Sequence, residues 1–154
     1  MQKSEYSDGH WRRLNLPHDW AIEGDFSPSN PSGASGGALP GGIGWYRKHF
    51  SLSPDEKYDR FTITFDGVYM NSTVYINGHK LGTRPYGYST FEYDLTPYIY
   101  KKGDNVIAVK VDNSDQPNSR WYSGCGIYRH VWLTKTLKKA YIPQWGQYVA
   151  TTPK

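Results

Sequence analysis

The chain has 154 residues, enough for one domain with its own core, and a formal net charge of +4, with charged residues at 21% and aromatics at 16%. No basic run exceeds Lys101-Lys102 or Lys138-Lys139, and acids are interspersed among the cations, so the clustered basic stripe of a nucleic-acid binder is missing. No apolar stretch approaches the ~20 residues of a membrane span, the N-terminus lacks the apolar core of an export signal, and the single cysteine, Cys125, rules out an intrachain disulfide without fixing a compartment.

In chain order, the first unusual segment is Leu16-Pro17-His18-Asp19-Trp20, an aromatic and charged turn. Ser27 to Gly44 follows, with six Gly, three Pro, four Ser and almost no charge. That composition buries little apolar surface against its ordering entropy, so a long loop is expected, poorly ordered from Ser27 to Gly42 unless a neighbour covers it. From Trp45 the dominant period is two, the strand signal. Trp45, Arg47 and His49 alternate with Tyr46 and Lys48 up to Leu52. Phe61, Ile63 and Phe65 alternate with Thr62 and Thr64, which reads as a half-buried strand.

Val68 to Ile76 reads as a strand that runs into Asn77-Gly78, the strongest short hairpin signal, with His79 to Leu81 returning. Asn71-Ser72-Thr73 is a formal glycosylation sequon, but it falls inside this strand and reads as chance. Phe91 to Leu95 is a short strand stopped by Thr96-Pro97, and Lys102 to Asn105 is a turn. Val106 to Val111 is apolar enough for burial on both faces, and Ile127 to Thr134 alternates again. No segment carries a capped helical period. Short strands with turns between them predict an all-β domain, a jelly-roll β-sandwich. After Lys138-Lys139, Ile142 to Gly146 opens a new apolar pattern with no partner left in sequence, as expected of the first strand of a following domain.

Catalytic templates are weak. Glycosidic hydrolysis needs two facing carboxyl groups, and none of the 14 Asp and Glu stands out as a pair, since most sit where turns favour them. The five His show no metal-ligand spacing, Cys125 has no evident base beside it, and no phosphate-binding or dinucleotide fingerprint is present. No cofactor, metal or catalytic residue is assigned. Asn118 to Arg129 is more informative. It places Arg120, Trp121 and Tyr122 on a glycine-containing loop before a strand, where a guanidinium can donate to sugar hydroxyls and a ring can cover the apolar sugar face. Packing over the sheet end explains the same residues equally well.

These segments carry a family resemblance. Leu16-Pro17-His18-Asp19-Trp20, Gly44-Trp45-Tyr46-Arg47-Lys48, Phe65-Asp66-Gly67-Val68, Val74 to Gly78, and above all Ser119 to Gly124 with Gly126-Ile127-Tyr128-Arg129 resemble the N-terminal sugar-binding domain of family 2 glycoside hydrolases. In detail they are most similar to the bacterial β-galactosidases. The resemblance implies a galactose-binding-like jelly roll over residues 1–140, with 141–154 opening an immunoglobulin-like domain that precedes a TIM barrel. The family's two catalytic glutamates belong to that barrel, so no activity is expected of this chain alone. The resemblance also implies that the partners are a β-galactoside and those downstream domains. By the same match Arg120, Trp121 and Tyr122 approach the sugar, and Asp19 and Trp20 lie on a loop near the same mouth. Several branches of the family carry Asp where Arg120 stands. Three roles stay open: a non-catalytic domain of a β-galactosidase, an autonomous carbohydrate-binding module, and a structural adaptor.

Overall fold

The structure is a computed structural model that describes residues 1–152. Seven strands form two antiparallel sheets: β1 (Gly42–Ser51), β2 (Arg60–Phe65), β3 (Ser72–Ile76), β4 (His79–Arg84), β5 (Phe91–Asp94), β6 (Asp104–Asn113) and β7 (Val131–Thr136). One sheet has the order β1-β6-β3-β4 and the other β5-β2-β7. The sheets face each other in the expected jelly-roll sandwich. Phe61, Ile63 and Phe65 from one sheet meet Val74, Ile76, Ile107, Val109 and Val111 from the other, and Leu95 and Ile127 close the core. Burying such side chains contributes about 1.5–3 kcal/mol each.

The period-two reading locates each strand but misplaces several ends. Strand β1 begins at Gly42, three residues before Trp45, because its pairing with β6 continues to Asn113. Asp104 and Asn105 belong to β6 and not to a turn. The stretch before β3 is not strand: Asn71 has φ 45° and Tyr69 pairs only with Gly126, as an isolated bridge. Likewise the alternation from Ile127 becomes ladder only at Val131. Within the sequon, Ser72 and Thr73 are buried and the Asn71 amide donates to the Asp112 carbonyl at 3.1 Å.

Thr62 and Thr64 are buried although they point away from the core, so β2 is covered on both faces. Glu92 takes a hydrogen bond from Thr64 (3.2 Å), and residues 142–147 lie beside Arg60, Thr62, Thr134 and Thr136. Residues 141–152 form no strand, and Tyr148 and Val149 are fully open to solvent; of the segment expected to begin a second domain, residues 153 and 154 lie outside the described residues.

Asn77 and Gly78 both have positive φ, 49° and 84°, as their hairpin turn requires. The Asn77 side chain has a second task. Buried with Asn105, it accepts from the Val106 amide (2.8 Å) and donates to Asn105 (2.9 Å) and to the Tyr98 carbonyl (2.8 Å), joining the hairpin to the chain entering β6.

On the outer face of β1, Arg47 and His49 hold the N-terminal segment. The Arg47 side chain is 1% exposed. It donates to Asp8 (2.7 Å) and to the carbonyls of Met1, Lys3, Ser4 and Tyr6, with its guanidinium 5.6 Å from the Tyr6 ring. His49 bridges Asp8 (2.9 Å) and Asp104 (2.5 Å).

Candidate functional site

The five side chains singled out from the sequence all lie at one end of the sandwich, but they separate into two groups. Asp19, Trp20 and Tyr122 form an internal tie. The segment His18–Trp20 runs along Cys125–Ile127: the His18 amide donates to the Ile127 carbonyl (2.8 Å) and the Trp20 amide to that of Cys125 (3.0 Å). Asp19 Oδ1 accepts from the amides of Ala21 and Cys125, each at 2.9 Å, and the Tyr122 hydroxyl donates to Asp19 Oδ2. Burial, followed by this bond to Asp19, raises the Tyr122 hydroxyl well above the ordinary phenol range.

Trp20 is half-buried and packed. Its ring lies against Gly44 and Tyr46, and its Nε1–H donates to the Gly41 carbonyl at 3.2 Å. Gly126 makes this crossing possible. Its φ is 129°, and a Cβ there would meet the Tyr46 hydroxyl and stand 2.7 Å from the His18 carbonyl, so no larger residue fits.

The glycine-rich loop completes this end of the domain. Its polar residues bond inward where composition alone suggests solvation. Asn30 donates to the carbonyls of Asp25 (3.0 Å) and Ala38 (2.7 Å), buried Ser32 donates to that of Leu39 (2.6 Å), and a 3-10 turn spans Ala34–Gly36. Leu39 is buried with Ala21 and Cys125 beneath Trp20. Cys125 accepts a hydrogen bond from the Asn113 amide at 2.9 Å, and burial pushes its thiol up to about 11. It is a packing residue and a poor nucleophile.

Arg120 and Trp121 stand apart from this tie. The loop carrying them is fixed from below: the Ser119 hydroxyl donates to the Trp121 carbonyl, and Asn118 donates to Asn113 (2.7 Å) and to the Asp115 carbonyl (2.9 Å). Trp121 is 62% exposed, and among the described residues the exposed Arg120 makes no hydrogen bond or ion pair. Both border a cleft of about 460 Å³ whose other lining is Tyr69, Met70, Tyr86, Gly87, Tyr88, Asn118 and Ser119.

Sequence reasoning missed Tyr86 and Tyr88, which are 64% and 42% exposed. Tyr88 packs edge-on against both Tyr86 (5.7 Å between centroids) and Tyr69 (5.3 Å), and the Tyr128 hydroxyl holds the Gly87 carbonyl at 2.8 Å. The available signal was two tyrosines in a Pro- and Gly-punctuated stretch, Arg84 to Tyr88, where no strand needs them. Among the described residues the cleft lining holds no Asp or Glu and a single charge, that of Arg120. Among the described residues no three His, Cys, Asp or Glu side chains gather as metal ligands. This arrangement can cover the apolar face of a ring and donate to its oxygens.

Changing Tyr122 to Phe removes the bond to Asp19 and keeps the ring. The expected loss is about 1 kcal/mol of unfolding free energy, read from urea denaturation.

The model of "Glycosyl hydrolases family 2, sugar binding domain" matches residues 38–137. The chain is 63% identical over 147 residues to Beta-galactosidase BoGH2A of Bacteroides ovatus, covering 96% of this chain and 17% of that protein. It is 50% identical over 135 residues to a putative beta-glucuronidase of Formosa agariphila, covering 88% of this chain and 13% of the relative. Among solved structures, a beta-glycosidase from Bacteroides vulgatus superposes with a TM-score of 0.84 at 52% identity, over 87% of this chain and 17% of that one. The chain therefore spans about a sixth of the length of these relatives. The match over most of the sandwich, from Ala38 through β7, shows that the chain belongs to family 2 of the glycosyl hydrolases, as its sugar-binding domain.

Proposed function

We propose that this domain forms one wall of the sugar pocket in a β-galactosidase-like hydrolase that removes terminal β-galactosides in carbohydrate metabolism, without supplying a catalytic group. The observation that carries this reading is Arg120, an exposed guanidinium with no partner among the described residues, held on a fixed loop at an aromatic cleft. Its N–H donors are free for sugar hydroxyls. The name of the Bacteroides ovatus relative supports galactose as the sugar. Residues 1–140 would be the jelly-roll sugar-binding domain and 141–154 the start of an immunoglobulin-like domain, with both catalytic carboxyl groups on a barrel beyond it. Asp19, Trp20 and Tyr122 support the loop from behind.

The test compares the 154-residue chain with the full-length enzyme that contains it. The full-length enzyme is expected to hydrolyse a chromogenic β-galactoside and the chain alone to show no turnover. A single wall offers few of the contacts that bury most of a ligand, so galactose should bind the chain alone with a Kd weaker than about 0.1 mM. Turnover by the chain that vanishes when one of its own acids is replaced would sink the reading. A Kd below that limit would favour an autonomous binding module.

A further inference from the structure

We infer that the cleft between Arg84–Tyr88 and Asn118–Trp121 seats a second sugar ring, the leaving-group residue of an oligosaccharide, on Tyr86 and Trp121. The inference rests on the proposed role of the domain in a sugar pocket. Three observations support it. First, aromatic faces are present in excess: Tyr86, Tyr88 and Trp121 are all open to solvent at one cleft. A pyranose presents its apolar C–H face to one or two rings, so three exposed rings exceed what a single sugar covers.

Second, these rings are held in place without being needed for the core. The Tyr86–Tyr88–Tyr69 chain of edge contacts ends on a buried ring, and Tyr128 fixes the backbone between them through the Gly87 carbonyl. The Trp121 backbone is held by Ser119. Ordering large apolar side chains at the surface adds little to folding, because they stay wet; the same pre-organisation lowers the cost of binding a ring.

Third, the polar groups of the cleft suit a neutral polyol. The tyrosine hydroxyls and the Asn118 side chain can donate or accept, and among the described residues the lining holds no carboxylate. At about 460 Å³ the cleft lies in the range of sites for small-molecule ligands.

The full-length enzyme tests this with two substrates that share the cleaved sugar, a β-galactosyl fluoride and a β-galactosyl disaccharide such as lactose. The fluoride has no leaving-group ring. The readout is the ratio of kcat/KM for the disaccharide to kcat/KM for the fluoride. Tyr86→Ala and Trp121→Ala are each expected to lower this ratio about five- to tenfold, and Trp121→Phe, which keeps a ring, to restore most of it. Both side chains are exposed, so thermal unfolding should confirm folded protein. A ratio that stays within twofold of wild type in both alanine variants overturns the inference. If the enzyme cleaves a sugar other than galactose, the galactosidase reading fails, and the same ratio measured on the fluoride and disaccharide of that sugar still decides whether the rings seat a leaving group.

Discussion

Replacing Arg120 with Ala in the full-length enzyme is expected to lower kcat/KM for β-galactosides by about ten- to a hundredfold. A charged donor to a neutral acceptor contributes roughly 1.5–3 kcal/mol, and the conversion to rate gives that range. The loss should fall equally on substrates with and without a leaving-group ring, since the guanidinium is assigned to the cleaved sugar. Unfolding free energy should change by less than about 1 kcal/mol, because Arg120 makes no ion pair among the described residues and its loop is secured by Asn118 and Ser119. A variant that loses thermal stability while the folded enzyme keeps its kcat/KM would instead assign Arg120 a structural role.

Arg47→Ala is expected to have the largest effect on stability, a loss of about 2–4 kcal/mol in urea unfolding. The substitution strips the partner from Asp8 and from four backbone carbonyls, and it releases the segment that covers the outer face of β1. Amide exchange over residues 1–9 should accelerate well before global unfolding. Arg47→Lys should recover little, since an ammonium cannot reproduce the planar fork. Unchanged stability with the segment still protected would overturn this account.

The same contact is pH-dependent. The Arg47 bond, and after it His49, holds the Asp8 carboxyl below its ordinary range, while the bond to Asp104, and after it that to Asp8, raises His49 above 6.5. The Asp8 contribution is present above its unfolded pKa and is lost as pH falls through the lower folded value. The His49 contribution is complete below about 6.5 and is lost as pH rises through the higher folded value. Attachment of the N-terminal segment is therefore tightest in mildly acidic solution. Solvent screens His49, which is 44% exposed, so the alkaline loss is the shallower of the two.

Most of the fold was legible because a half-buried strand leaves its period in the sequence: Phe61, Ile63 and Phe65, or Trp45, Arg47 and His49, are assigned to faces by their alternation alone. What could not be read are the properties that arise when distant segments meet. Thr62 and Thr64 look solvent-facing until the fold buries both, Thr64 with its hydroxyl on Glu92. Serines and glycines from 27 to 41 look solvated until Ser32 and Asn30 find carbonyls inside the loop. The candidate site divides for the same reason. Asp19, Trp20 and Tyr122 are as polar and aromatic as Arg120 and Trp121, and only the fold shows that they bond and pack with distant segments. Tyr86 and Tyr88 belong to the cleft because β4 and the chain after β6 end on the same side, a juxtaposition absent from local patterning.

The tie between Asp19 and the loop before β7 also governs the order in which the molecule can assemble. Asp19 and Cys125 are 106 residues apart, and of the strand pairings only β3 with β4 joins neighbours in the chain. Strand β1 waits for β6, and β2 gains its second neighbour only when β7 arrives. Loops of this length carry a high closure entropy before any contact rewards it, which places the domain among slow folders of high contact order. On the ribosome the hairpin at Asn77-Gly78 can form early, whereas the cleft cannot exist until nearly the whole sandwich has emerged. Any truncation that removes the chain from Asn118 through β7 therefore removes the loop that carries Arg120 and Trp121, and leaves β2 with an unpaired edge open to aggregation.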